Sequence, residues 1–153
     1  MGRIGSCAGT MLPEDQRWEW VSNLDEEVLR GGASASEFCF ELMRNADVSF
    51  ASGAFVACLI TASATVETYL RGEGYGDARF GLYKLVELSD FDKNTKAELN
   101  ELRRNRNAWV HVADPWAEND IDNEYSKGHP ELESQCKAAL RLMRLVVYSN
   151  PWI

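Results

Sequence analysis

The chain is poor in the residues that usually build a metal site or a disulfide framework. It has only two histidines, His111 and His129, and none of its four cysteines belongs to a Cys-x-x-Cys pair. Structural zinc sites gather about four Cys or His ligands at short spacings, so we predict no zinc site and no cofactor. Because no signal-peptide pattern precedes the cysteines, we expect them to be reduced, in the cytoplasm.

The sequence also lacks an apolar run long enough to cross a membrane. Its most apolar stretch, residues 50–66, is uncharged for seventeen residues but contains several serines and threonines, and Glu67 follows at once. A spanning helix needs about 20 predominantly apolar residues. We therefore expect no membrane association and interpret residues 50–66 as a central helix that is buried on most sides.

No segment shows the alternation typical of a strand, and no internal repeat is present, so helical periodicity is the dominant pattern. The predicted helices cover residues 14–30, a short segment from 34, residues 50–66, 80–88 and 95–111, and a last helix opened by Pro130. The 153 residues are enough for one domain. We predict a disordered segment at 1–12 and, at 13–153, an all-α, up-and-down bundle of about five helices.

Several local features are predicted from capping and turn signals. Ser34 with Glu37 forms a capping box, and Phe38 with Leu42 is expected on the buried side of that helix. This helix is expected to fray at residues 45–47, and residues 117–128 are expected to form an acidic loop. The acidic face of the first helix is expected to be solvated, and Arg144 to favour the C-terminal dipole of the last helix. The glycine-rich residues 71–81 lack the Lys-Ser/Thr of a phosphate-binding loop and are interpreted as a connection.

The segment 102–111, LRRNRNAWVH, places an arginine inside an apolar stripe. Thr95 and Glu98 form a second capping box that predicts a helix from Thr95. With about 100° per residue, Arg106 falls on the stripe of Leu99, Leu102 and Val110. Burying an unpaired guanidinium costs several kcal/mol, so an anion is expected to meet Arg106. Asn107 and His111 are four residues apart and share a flanking face, with Arg104 nearby.

Glu67 is the candidate partner of Arg106 because it continues the stripe of Val56, Ile60 and Ser63. Two interpretations remain open at this point. Glu67 is either a surface residue at the end of its helix, or a carboxylate on a packed face that pairs with Arg106 or orients His111.

The charge balance limits the kind of nucleic-acid binding to expect. A net charge of −8 argues against a protein that grips long nucleic-acid backbones by general attraction. It leaves room for a local basic pocket, because residues 95–111 contain Lys96, Arg103, Arg104 and Arg106 against only Glu98 and Glu101.

The segment Arg106-Asn107-Ala108-Trp109-Val110-His111 resembles the signature of the HEPN superfamily (higher eukaryotes and prokaryotes nucleotide-binding domains). That signature is an arginine, often followed by a polar residue, and then a histidine after four to six intervening residues. A long apolar helix with a terminal acid, a return connection, a motif helix and one further helix also resemble the HEPN bundle. The resemblance covers roughly residues 34–150.

The resemblance implies a metal-independent endoribonuclease that works as a homodimer, with the motifs of both protomers lining one cleft. The chemistry is consistent with this, because the 2′-hydroxyl of RNA supplies the nucleophile. An imidazole side chain can exchange protons near neutral pH, so His111 suits proton transfer. Arg106 suits bidentate binding of phosphate oxygens, and Asn107 could orient either group. Arg106 and His111 are five residues apart, about 140° out of register, so one motif alone makes a poor site.

Other interpretations compete with the ribonuclease, which would be a toxin or defence effector acting on cellular RNA. One is a non-catalytic HEPN-like dimer that binds a nucleotide or RNA, or that pairs with an antitoxin protein. Another is a helical interaction protein in which Arg106 is an interior ion-pair residue and His111 only caps a helix. The tryptophans are expected either to stack on bases or to anchor a core or an interface.

Overall fold

The computed structural model describes residues 11–75, 79–112, 114–116 and 121–149, and of residues 121–129 only the backbone. Within these ranges the chain forms six α-helices and no strand, which confirms the predicted all-α bundle. The helices are α1 Glu14–Val28, α2 Glu37–Ala51, α3 Phe55–Gly72, α4 Leu82–Leu88, α5 Lys93–Val110 and α6 Ile121–Val147. Residues 1–10 of the predicted disordered segment and residues 117–120 of the predicted loop lie outside the described residues.

Helix α3 is the centre of the bundle. It packs mainly against α2 and α6, and also against α4 and α5. Its apolar residues face these neighbours on several sides, as expected for a helix with little charge. The buried residues of α3 are Phe55, Cys58, Leu59, Ala62, Ser63, Thr65, Val66, Tyr69 and Leu70. This central position holds the end of α3, with Glu67, close to α4 and α5.

The uncharged stretch 50–66 is not one helix, as predicted, but the end of α2 and most of α3. The chain turns between Ala51 and Phe55, where Gly53 has a φ of +82°. Glycine adopts this left-handed backbone readily because it has no Cβ. The expected fraying at residues 45–47 is also wrong, because α2 continues to Ala51 with Ala46 and Phe50 buried. Core packing therefore outweighs the local polarity of that segment.

Both predicted capping boxes are wrong in register. Ser36, and not Ser34, caps α2, and its hydroxyl accepts a hydrogen bond from Cys39 N at 3.1 Å. Asp92, and not Thr95, caps α5, with its carboxylate accepting from Thr95 N at 2.7 Å. A carboxylate or hydroxyl at the N-cap satisfies an otherwise unpaired N–H. With the corrected start of α2, Phe38 is 80 % exposed and not buried.

The last helix begins before the residue predicted to open it. Helix α6 starts at Ile121 and contains Pro130 in its interior, where the proline removes one backbone hydrogen bond. Arg144 does not act at the solvated helix end, because its side chain is fully buried and paired with Asp25 of α1 and Asp47 of α2. The acidic face of α1 is thus only partly solvated.

A helix that crosses a bilayer must be long and predominantly apolar. No helix in the described part of the chain combines the necessary length with sufficient apolar character.

Candidate functional site

The site is built around Arg106, on the core-facing side of α5. Its side chain is 21 % exposed. Nε and Nη2 donate to Asn107 Oδ1 at 3.0 and 2.7 Å, and Nη1 lies 4.0 Å from Glu67 Oε2. The guanidinium is thus oriented by a neighbouring amide and by a carboxylate from α3. The contact with Glu67 is long, so Arg106 retains capacity to bind a further anion.

Glu67 is held by a second arginine that the sequence analysis missed. Arg71, one turn later on α3, donates from Nη2 to Glu67 Oε1 and also to the backbone oxygen of Phe80, the latter at 2.9 Å. Two guanidinium groups therefore face one carboxylate, which leaves a net positive charge at this position. The i,i+4 spacing of Glu67 and Arg71 was the signal that could have identified the pair.

His111 lies at the C-terminal end of α5 as its C-cap. Its backbone N–H still donates to Asn107 O at 2.9 Å, but its own backbone, with a φ of −121° and a ψ of 57°, has left the helical conformation. The side chain is exposed, and no hydrogen bond or ion pair to it is formed by the described residues. The structure thus places Arg106 and His111 at the same end of α5, and no hydrogen bond of the described residues joins their side chains. An imidazole without an internal partner is free to bind a substrate or a residue of a second chain.

The remaining predicted site residues lie in contrasting positions. Ser63 is fully buried one turn before Glu67, and its Oγ has no hydrogen-bond partner. A buried hydroxyl cannot touch a substrate in this conformation, so Ser63 acts at most through its neighbours. Arg104 is exposed on α5, and none of the ion pairs of the described residues includes it. It is therefore available to an external anion.

Three free cysteines lie in the core and are unsuited to nucleophilic chemistry. Cys39, Cys58 and Cys136 are fully buried. Burial raises the pKa of Cys39 to about 11, and a hydrogen bond with Cys136, together with burial, raises the pKa of Cys58 well above its ordinary value. Cys39 and Cys58 therefore carry thiols rather than thiolates near neutral pH. Over the described part of the chain, no group of three or more His, Cys, Asp or Glu side chains could hold a metal ion.

The end of α5 also exposes a cluster of apolar side chains. Their exposed fractions are 48 % for Trp109, 47 % for Val110, 52 % for Val112 and 90 % for Trp116. Such a concentration of exposed apolar side chains beside polar groups is typical of a surface that another molecule covers. His111 lies within this segment, so whatever covers the apolar residues also comes close to the imidazole.

Comparison with known proteins provides no independent assignment of this site. No family model, curated protein or solved structure matches the chain. The functional conclusion therefore depends on the residues and the geometry described above.

Proposed function

We propose that the chain is a metal-independent endoribonuclease of the HEPN type that acts as a homodimer. The observation that carries the proposal is the arrangement at the end of α5. A partly exposed guanidinium, held by Asn107 and Glu67, lies in the same helical segment as the exposed imidazole of His111. A cation for phosphate oxygens and a group that exchanges protons near neutral pH are the two requirements of this reaction.

In the proposed reaction, the 2′-hydroxyl oxygen of a ribose attacks the adjacent phosphorus. The O2′–P bond forms, the P–O5′ bond breaks, and the products end in a 2′,3′-cyclic phosphate and a 5′-hydroxyl. His111 accepts the 2′-proton or, from the second protomer, donates a proton to the leaving O5′. Arg106 stabilises the charge that develops on the non-bridging oxygens, while Glu67, held by Arg71, keeps the guanidinium aligned.

The homodimer follows from the position of the two groups. Within one protomer Arg106 is turned toward Glu67, 4.0 Å away, whereas His111 faces outward with no partner among the described residues. A twofold axis beside the end of α5 would cover Trp109, Val110 and Val112 and would place two imidazoles and two guanidiniums around one crevice. Self-association through one apolar patch that contacts its own copy is the usual arrangement of a dimer of identical chains.

An activity of this kind on cellular RNA would make the protein a toxin or defence effector, held inactive by an antitoxin protein. The alternative is a HEPN-like dimer that binds RNA or a partner without cleaving it. The contacts of Arg106 within the chain are the observation that favours this alternative. A guanidinium that binds Glu67 and Asn107 has a structural role that does not require catalysis.

The test is cleavage of total RNA by the purified protein in buffer with EDTA. We expect products ending in cyclic phosphate, a loss of about 10²-fold or more in His111→Ala and a loss of about 10²- to 10³-fold in Arg106→Ala. Arg141→Ala is the matched control, because Arg141 is exposed on α6 and its one ion pair with a described residue is the exposed pair with Glu27, at 2.8 Å. Circular dichroism checks that each variant is folded.

Cleavage that persists in His111→Ala, or that requires a divalent metal ion, would contradict the proposal. Wild-type protein that is folded and dimeric but leaves every RNA intact would favour the non-catalytic alternative. Glu67→Gln should keep the fold and reduce the rate less than Arg106→Ala, since it removes the alignment of the guanidinium but not its charge.

A further inference from the structure

Apart from Arg106, which lies on the core-facing side, the charged side chains of α5 lie on two separate faces. With about 100° per residue, Lys93, Lys96, Asn100, Arg103, Arg104 and Asn107 fall within an arc of about 100°. We call this set of six residues the basic face. The two acids of α5, Glu98 and Glu101, lie outside the arc and line a cleft of about 400 Å³ between α5 and α6. All four lysines and arginines of the basic face therefore lie on one side of the helix, with no acid of α5 among them.

The cations of the basic face are not neutralised by the fold. None of its four lysines and arginines forms an ion pair within the described ranges. Among the described residues, Lys96 donates to the backbone oxygen of Glu87, at 3.0 Å. Arg103 Nε and Asn100 Oδ1 are buried and have no hydrogen-bond partner among those residues. In a protein with a net charge of −8, carboxylates are plentiful, and yet these four cations form no ion pair with the described residues.

The neighbouring helix α4 adds an aromatic ring and little free negative charge. The guanidinium carbon of Arg103 lies 5.1 Å from the centre of the Tyr83 ring, and Tyr83 is 54 % exposed. On the same helix Lys84 pairs with Glu87 at 3.2 Å, so each neutralises the other. Next to α5, Asp92 is occupied as the N-cap. An exposed ring beside unpaired cations suits a nucleobase on the ring and phosphates on the cations.

We infer that the basic face binds the sugar-phosphate backbone of a single-stranded RNA and leads it to the end of α5. The inference deepens the proposed function and rests on it. Lys96 and Asn107 are eleven residues apart, so this part of the face is about 17 Å long, enough for a few nucleotides. Lys96, Arg103 and Arg104 hold phosphates, and Tyr83 stacks on one base. A single strand is favoured because its bases are free to stack on a side chain.

The experiment measures binding of a fluorescent 2′-O-methyl RNA of about 12 nucleotides by anisotropy. The methyl group blocks the proposed nucleophile, so the unmodified protein binds the probe without cleaving it. We expect Arg104→Ala to weaken binding about threefold to tenfold and to reduce the slope of log K against log salt by about 0.7. Arg44→Ala, an exposed arginine of α2, makes the same change in net charge and should bind as the wild type does.

The tyrosine is tested separately. Tyr83→Ala should weaken binding about tenfold through lost stacking, and Tyr83→Phe, which keeps the ring, should restore it. Equal losses in Arg44→Ala and Arg104→Ala would show general charge attraction and overturn the inference. An unchanged affinity of Arg104→Ala for the probe would also overturn the inference. The same holds if duplex RNA binds more tightly than the single strand and its binding does not depend on Tyr83.

The inference and the proposed function fail in different ways. In one outcome, Arg106→Ala and His111→Ala abolish cleavage while Arg104→Ala and Tyr83→Ala bind the probe as the wild type does. The nuclease proposal is then supported, and the basic face has no role in RNA binding. If probe binding depends on Arg104 and Tyr83 but no RNA is cleaved, the basic face is an RNA-binding surface and the nuclease proposal is wrong.

Discussion

Arg144 and Arg106 both lie on the core-facing sides of helices, but their surroundings differ. The Arg144 side chain is fully buried, with Nε 2.8 Å from Asp25 Oδ1 and Nη2 2.7 Å from Asp47 Oδ2. Tyr148 completes the group by donating to Asp25 Oδ1 at 2.8 Å. Arg144 thus has two carboxylates close by, whereas Arg106 has one, at 4.0 Å. The first arrangement is a closed structural network, and the second remains open to an added anion.

The pKa values of Arg144 and Asp47 reflect two opposing effects, burial and pairing. Burial opposes the charge on Arg144, but hydrogen bonds from its guanidinium to Asp47 and Asp25 outweigh the effect and raise the pKa of Arg144. Burial also raises the pKa of Asp47, and the hydrogen bonds and charge of Arg144 oppose that rise. Each partner depends on the other to remain charged inside the bundle, so removing one of them is costly.

We therefore expect Arg144→Met to lower the free energy of unfolding by about 3–5 kcal/mol, because Asp47 is left buried without its partner. Urea denaturation at neutral pH measures the change. Arg141→Ala is the control, one turn earlier on α6, because its pair with Glu27 is about half exposed and such pairs contribute about 1 kcal/mol or less. Similar losses in the two variants would contradict this view of the network. Adding Asp47→Asn to Arg144→Met should recover part of the loss.

At the scale of elements, the turn between α2 and α3 determines where the central helix begins. Gly53 has a φ of +82°, and a Cβ built on it would lie 3.5 Å from Arg17 Nη2, an ordinary contact. Space therefore does not require glycine at this position, but backbone conformation does. Gly72 differs, because it lies at the end of α3 with no positive φ and with nothing within 4 Å of an added Cβ.

Opposite effects on stability are expected from the same substitution at these two glycines. Gly53→Ala should destabilise the protein by about 1–2 kcal/mol, since alanine is strained in the left-handed region. Gly72→Ala should stabilise it by up to about 1 kcal/mol, since alanine favours a helix and has fewer unfolded conformations. Thermal denaturation of the two variants beside the wild type measures both. A shift in the same direction for both would mean that the turn does not depend on the φ of Gly53.

At the scale of the whole molecule, the proposed function requires two chains. The bundle holds Arg106 beside Glu67 of α3 and presents the exposed His111 at the end of α5, and in the proposed homodimer a second chain brings the two kinds of group together. The apolar residues around His111 supply the area that a second copy would bury. A crevice shared by two chains can be restored by combining two different variants, whereas a site within one chain cannot.

The consequence is complementation between two inactive variants. Co-expressed Arg106→Ala and His111→Ala chains should form mixed dimers in which the guanidinium of one chain and the imidazole of the other occupy the same crevice. We expect these dimers to regain part of the ribonuclease activity, whereas each variant alone has almost none. Purification on two different affinity tags isolates the mixed dimer, and cleavage of total RNA measures it. A mixed dimer that is as inactive as the two parent variants would indicate that both groups of a site come from one chain. This outcome would contradict the shared crevice.

Several features of the fold and of the site could be predicted from the sequence because they depend on neighbours within one or two helical turns. Apolar spacing was enough to predict an all-α bundle and to place Arg106 on the packed stripe of Leu99 and Leu102, both of which are buried. The same local reasoning left open whether Glu67 is a surface residue or a carboxylate on a packed face, and in the structure its side chain is 19 % exposed and lies 4.0 Å from Arg106. Local reasoning failed by two or three residues at the helix caps, since serine, threonine and aspartate are nearly equivalent there.

By itself, then, the sequence determined the helical class and the position of the arginine and histidine at the end of one helix. Only the tertiary structure decided which carboxylate meets which cation. Arg144 pairs with Asp25 and Asp47 across 119 and 97 residues of chain, and Arg106 meets Glu67 from another helix. The physical reason is that a helix face repeats every few residues, whereas an ion pair depends on which helices the packing of the core brings together.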